Sequence, residues 1–132
     1  MSKMSSLEQV VYKILVQENI SFEQEKQFKD CYNGLYRFDF YLPDKNIVLE
    51  LNGAQHYKFV KEFYTTTADF KKAQERDRRK ISYCLAKGIS IYCIPYWEVS
   101  NLKNFSDLIQ KKFLAESKFH NDEVFRQQKL EN

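Results

Sequence analysis

Residues 36 to 52, YRFDFYLPDKNIVLELN, constrain the fold more than any other stretch. Two runs rich in aromatic and aliphatic residues flank PDKN, a four-residue turn signal, so the segment reads as a β-hairpin. Closing the turn with Leu42 opposite Ile47 puts Asp39 opposite Glu50. Period-two geometry then assigns Tyr36, Phe38, Phe40 and Leu42 to one face and Arg37, Asp39 and Tyr41 to the other. In the second run Ile47, Leu49 and Leu51 share a face, leaving Val48, Glu50 and Asn52 opposite. Two like charges in direct opposition repel and weaken a hairpin. Either this face is wet, as one face of an antiparallel sheet often is, or something positive belongs between the acids. A divalent cation is one such partner, since Mg²⁺ takes hard oxygen ligands and uses one or two carboxylates.

The rest of the 132-residue chain arranges itself around that hairpin. SSLEQVVYKILVQE carries Leu7, Val10, Val11, Ile14 and Leu15 at helical spacing, with Ser5 and Glu8 in a capping-box pattern. SFEQEKQF alternates loosely as a further strand, and Asn33-Gly34 marks the turn into the hairpin. A strong helix is expected from about Thr67 to Lys87, stopped by Gly88. ISIYCIP is a short apolar strand, and NLKNFSDLIQKKFLAESK reads as a last amphipathic helix. The order is α-β-β-β-α-β-α. A helix long enough to cross the sheet lets the fourth strand pair in parallel with an earlier one. The expectation is an α/β (α+β-like) domain over residues 1–118, a mixed four-stranded sheet flanked by helices, with a polar tail over 119–132.

Composition narrows the function classes. Three cysteines, Cys31, Cys84 and Cys93, are odd in number, widely spaced and form no CxxC. They argue against a disulfide framework or zinc knuckle and for a reducing cytoplasm. No apolar run approaches the ~20 residues that cross a bilayer, so no membrane association is expected. Net charge is only +3, but residues 57–88 hold nine Lys and Arg against four Asp and Glu. A local basic excess suits a polyanion, although solvated helix faces look similar.

Three further residues stand out. His56, one of only two histidines, follows the Glu50 strand closely and is a candidate general base. Asp77 falls inside the apolar stripe Phe70, Ala73, Ile81, Cys84, Leu85. An inward carboxylate needs a partner, either an internal salt bridge such as one to Arg37, or an imidazole it orients, that of His56. Arg76, Arg78, Arg79 and Lys80 would then ring the same rim, where phosphates dock.

Taken together, RFDFYLP, IVLELNGAQHY and RDRRKISYCLAKGISIYCIPY resemble the PD-(D/E)XK nuclease superfamily, in particular its very-short-patch-repair-like branch. That branch spans mismatch-nicking repair enzymes and homing endonucleases of phages and mobile elements. The resemblance covers roughly residues 5 to 97 and implies a restriction-endonuclease-like αβββαβ core followed here by a C-terminal helix. It implies a Mg²⁺- or Mn²⁺-dependent endodeoxyribonuclease with catalytic Glu8, Asp39, Glu50, His56 and Asp77. Asp39, Glu50 and the backbone carbonyl of Leu51 would hold the metal, and Lys71, Arg78, Arg79 and Lys80 would meet DNA. The signature lysine falls at position 52, which is Asn52 here; His56 compensates in this branch. The expected setting is the cytoplasm of a bacterial or phage-infected cell, as monomer or homodimer. Asp39→Ala is expected to abolish cutting while leaving the fold intact or, with the repulsion relieved, slightly more stable without metal. The alternatives are a junction-type or other structure-specific repair nuclease, a catalytically silent nucleic-acid-binding module on the same fold, and a protein-interaction domain.

Overall fold

The computed structural model describes residues 4–53 and 66–115. Helix α1 spans Ser6–Gln17 and opens on the capping box: Ser5 Oγ accepts from Glu8 N at 3.2 Å, and Glu8 Oε1 accepts from Ser5 N at 3.4 Å. After α1 come β1 (Glu23–Lys26), a 3₁₀ turn (Tyr32–Gly34), β2 (Phe38–Leu42), β3 (Ile47–Asn52), α2 (Thr67–Lys87) and β4 (Ser90–Pro95). The strands lie in the order β1-β2-β3-β4. The first two pairings are antiparallel and β3 pairs with β4 in parallel, the connection that α2 makes possible. Among the described residues this is a mixed α/β architecture, a four-stranded mixed sheet flanked by helices.

Hairpin register follows the expected closure, with Leu42 opposite Ile47, Tyr41 opposite Val48 and Phe40 opposite Leu49. Asn46 ends the turn at φ 54, a left-handed conformation that asparagine tolerates. At the other end of α2, Gly88 takes φ 72 and its N–H caps Cys84 and Leu85. The two turns are stitched together, because Asn46 Nδ2 donates to Gly88 O at 3.2 Å and Ser90 N to Asn46 O at 3.2 Å.

The sheet has a core on each side. Leu7, Val11, Ile14 and Leu15 of α1 pack on Phe40, Leu42, Leu49 and Ile94. Ile81 and Cys84 of α2 pack on Val48, Ile91, Cys93 and Phe38. The face that carries Glu50 is therefore not wet: Val48, Glu50 and Asn52 are all buried beneath α2. Tyr36 and Phe38 depart from the expected alternation by joining the α2 side, where the Lys80 ammonium stands 4.8 Å from the Phe38 ring centroid.

The expected last amphipathic helix is broken up. A 3₁₀ segment (Tyr96–Asn101) precedes a four-residue α3 (Phe105–Leu108), and a second 3₁₀ turn covers Lys111–Phe113. Sheet pairing outcompetes helix here. Leu114 bridges to Tyr92, and Ala115 N donates to Ile91 O at 3.0 Å, so the chain leaves the helix to satisfy backbone groups on the outer edge of β4. The polar tail over 119–132 lies outside the described residues. No helix among the described residues is long and apolar enough to cross a membrane.

Candidate functional site

The backbone ladder between β2 and β3 stops at Phe40 opposite Leu49. One residue further, side chains take over as acceptors. Asp39 N donates to Glu50 Oε1 at 2.9 Å, and Leu51 N donates to Asp39 Oδ2 at 2.7 Å. The two acids thus reach across the gap in opposite directions, each bonded to backbone on the other strand. Charge-assisted bonds of this kind are stronger than neutral ones, which begins to explain why opposed carboxylates are tolerated.

Lys80 supplies the rest of the explanation. Its Nζ lies 2.6 Å from Glu50 Oε2 and 2.6 Å from the Arg37 carbonyl oxygen. Both side chains are almost fully buried, 8% and 7% exposed. Burial pulls an ammonium's pKa down. Here the charge of Glu50 and its hydrogen bond, followed by the charges of Asp39 and Asp77, outweigh burial, and Lys80 stands above the ordinary lysine value. The rim position expected for Lys80 is corrected: it points inward. Position 80 belongs to the row Ala73, Asp77, Lys80, Cys84, each three or four residues from the next and each buried. That row is the signal in the sequence that identifies it.

These groups front a cleft of about 690 Å³ at the ends of β2 and β3, between the start of α1 and the middle of α2. Glu8, Asp39, Leu51, Asp77 and Lys80 all line it, with Arg37 and Arg76 on the wall. Glu50 sits behind, in a small recess it shares with Asn52, Asp77 and Lys80. Glu8 performs the cap its spacing implies and borders the cleft as well. Asp77 is 7% exposed, with Arg76 Nε 4.0 Å from its Oδ1. Arg37 reaches Glu25 at 3.9 Å on the surface. Asn52, at the position where the resembled superfamily carries lysine, is buried, and its Nδ2 has no hydrogen-bond partner among the described residues. His56 lies outside the described residues.

The expected DNA-contacting residues are spread along α2. Lys71 is exposed and Arg78 half-buried. Arg79 is tied down: it donates to Tyr36 Oη at 3.2 Å and to Glu75 Oε1 at 2.8 Å.

A divalent cation is what the resemblance implies, and the donor chemistry suits one. Asp39 and Glu50 offer hard carboxylate oxygens from neighbouring strands, Asp39 bonded to the Leu51 amide and Glu50 to the Asp39 amide. Among the described residues, no group of three or more His, Cys, Asp or Glu side chains is placed so that it could hold a metal ion. Two carboxylates, with water and substrate phosphate completing the shell, are the complement Mg²⁺ uses.

Fold and site together define a mixed α/β domain with a carboxylate- and lysine-lined cleft at its strand ends. No protein-family model matches the chain, and no solved structure does. Over 58 residues, 44% of this chain, it is 36% identical to uncharacterized protein 307L of Invertebrate iridescent virus 6. The matched segment spans 29% of that viral protein's length.

Proposed function

We propose that this chain is a divalent-metal-dependent DNA endonuclease that hydrolyses phosphodiester bonds, built on the PD-(D/E)XK nuclease core. The observation that carries the reading is the pair of reciprocal bonds between Asp39 and the Glu50–Leu51 strand, with Asp39 lining a cleft beside Lys80 and Asp77 and Glu50 seated in the recess behind. Asp39, Glu50 and the Leu51 carbonyl would hold Mg²⁺ or Mn²⁺. Bound there, the ion would polarise a phosphoryl oxygen and make a water more acidic. Lys80 fixes the Glu50 carboxylate and contributes a pre-placed positive charge where phosphate charge develops, the role in which preorganised cations count most. It brings from α2 the ammonium that Asn52 does not supply. Arg37 and Arg76 line the wall a phosphate backbone would follow. His56 is the proposed proton acceptor, with Asp77 as the group that orients it.

Supercoiled plasmid incubated with the protein tests this reading. Nicking or linearisation is expected with Mg²⁺ or Mn²⁺, none with EDTA, and none from Asp39→Asn. Undiminished cutting by Asp39→Asn removes this cleft from consideration. A catalytically silent nucleic-acid-binding module is the second reading, favoured by the Lys80 ammonium already seated on Glu50 Oε2. Calorimetric titration separates the two: Mn²⁺ binding that disappears in Asp39→Asn supports the enzyme, and no Mn²⁺ binding supports the silent module.

A further inference from the structure

The mouth of the cleft carries a feature that the hydrolytic reading does not use. Tyr32, Asn33 and Gly34 take φ values of 49, 57 and 73 in succession. Glycine and asparagine adopt that region readily, whereas a bulky residue such as Tyr32 does so at a cost. Strain of this kind persists where surrounding structure enforces it, and it clusters at ligand sites. Enforcement is visible here: Gln27 Nε2 donates to Gly34 O at 2.8 Å, and Leu35 N to Tyr32 O at 3.1 Å.

The held turn displays apolar surface outward. Tyr32 is 50% exposed and Leu35 67% exposed, beside a cleft that Leu35 itself lines. The Tyr32 ring is fixed from behind, with the Arg79 guanidinium 5.1 Å and the Tyr36 ring 5.3 Å from its centroid. Arg37 and Arg76 continue the same wall into the cleft. An aromatic ring backed by a guanidinium and an exposed leucine, bordered by further guanidinium groups, match the two surfaces of a single nucleic-acid strand, the flat base and the charged backbone. A base paired within a duplex offers no free face, so the feature selects for unpaired ones.

We infer that the Tyr32–Leu35 turn is a subsite for an unpaired nucleobase, which seats against Tyr32 and Leu35 while Arg37 and Arg76 hold the flanking phosphates. The inference rests on reading the cleft as a nucleic-acid site, and it assigns that site a substrate class: DNA with locally unpaired bases. Because the ring already packs against Arg79 and Tyr36, seating a base on it costs less side-chain entropy than ordering a tyrosine without such contacts.

The test is fluorescence anisotropy of the full chain in EDTA, comparing a paired duplex with a duplex of equal length and charge carrying a central unpaired bubble. The expected result is tighter binding to the bubble. Tyr32→Ala and Leu35→Ser should each weaken bubble binding by about tenfold, the scale of one lost stacking contact. Both should leave duplex affinity within about twofold, and Tyr32→Phe should retain the preference. Circular dichroism confirms that each variant is folded. Equal affinity for the two DNAs, or losses that fall equally on both, overturns the subsite and leaves the turn to a protein partner. Bubble preference without cutting in Mg²⁺ defeats the nuclease and leaves the subsite standing. Cutting without bubble preference does the reverse, and failure to bind any DNA defeats both.

Discussion

Lys80 Nζ and Glu50 Oε2, thirty residues apart in the chain, meet at 2.6 Å beneath α2, each side chain under one-tenth exposed. This contact neutralises half of the carboxylate pair that the hairpin register creates. Removing one partner of a buried pair strands the other charge in a poorly hydrated setting, at a cost of about 3–5 kcal/mol. Lys80→Met should therefore lower unfolding free energy by that amount in urea titrations. Lys80→Met/Glu50→Gln should recover much of the loss, because no buried charge is left alone.

Two substitutions at Asp39 separate the proposed chemistry from folding. Asp39 Oδ2 accepts from Leu51 N at 2.7 Å, so Asp39→Ala orphans a backbone donor. That corrects the expectation that truncation relieves repulsion and spares the fold: a loss of about 1–3 kcal/mol is expected instead. Asp39→Asn retains an acceptor oxygen and should unfold within about 1 kcal/mol of wild type. Both variants should lose Mg²⁺-dependent plasmid cutting, so parallel urea and cleavage assays distinguish the two roles.

The stitched turns at Asn46 and Gly88 give a purely structural test. A Cβ on Gly88 meets nothing within 4 Å, so Gly88→Ala reports the left-handed backbone alone, about 1–2 kcal/mol. Asn46→Gly keeps the conformation easy but removes the bonds to Gly88 O and from Tyr41 Oη. Each is worth about 0.5–1.5 kcal/mol. Both substitutions should lower the thermal midpoint without changing DNA binding.

All three cysteines are buried and free. Burial, followed by the Glu50 charge, pushes the Cys84 thiol up to about 12. The same causes, with Asp77 added, hold Cys93 well above the ordinary value of 9.0, and burial raises Cys31. At pH 8 the native protein should resist iodoacetamide, and the unfolded chain should take three labels by mass spectrometry. The folded thiols keep their protons while unfolded ones lose them, so this contribution to stability is whole below pH 9 and declines as pH rises from about 9 toward 12. Cys84→Ala should flatten that decline by about 1.4 kcal/mol per pH unit in urea titrations across the window.

The local pattern of the chain determined the hairpin and its register, the caps at Ser5 and Gly88, the long crossover helix, and the inward placement of Asp77. These depend on spacing of two, three or four residues, which side-chain direction converts directly into a face. What only the tertiary structure decided is how the acids are satisfied: Lys80 turned in toward Glu50, Asp39 holding the Leu51 amide, and the sheet face beneath α2 dry. The same holds for the segment after Asn101, where the open edge of β4 overrides helical periodicity. Such partnerships join residues ten to forty positions apart, and their energies arise when packing excludes water around them, a condition no local spacing encodes.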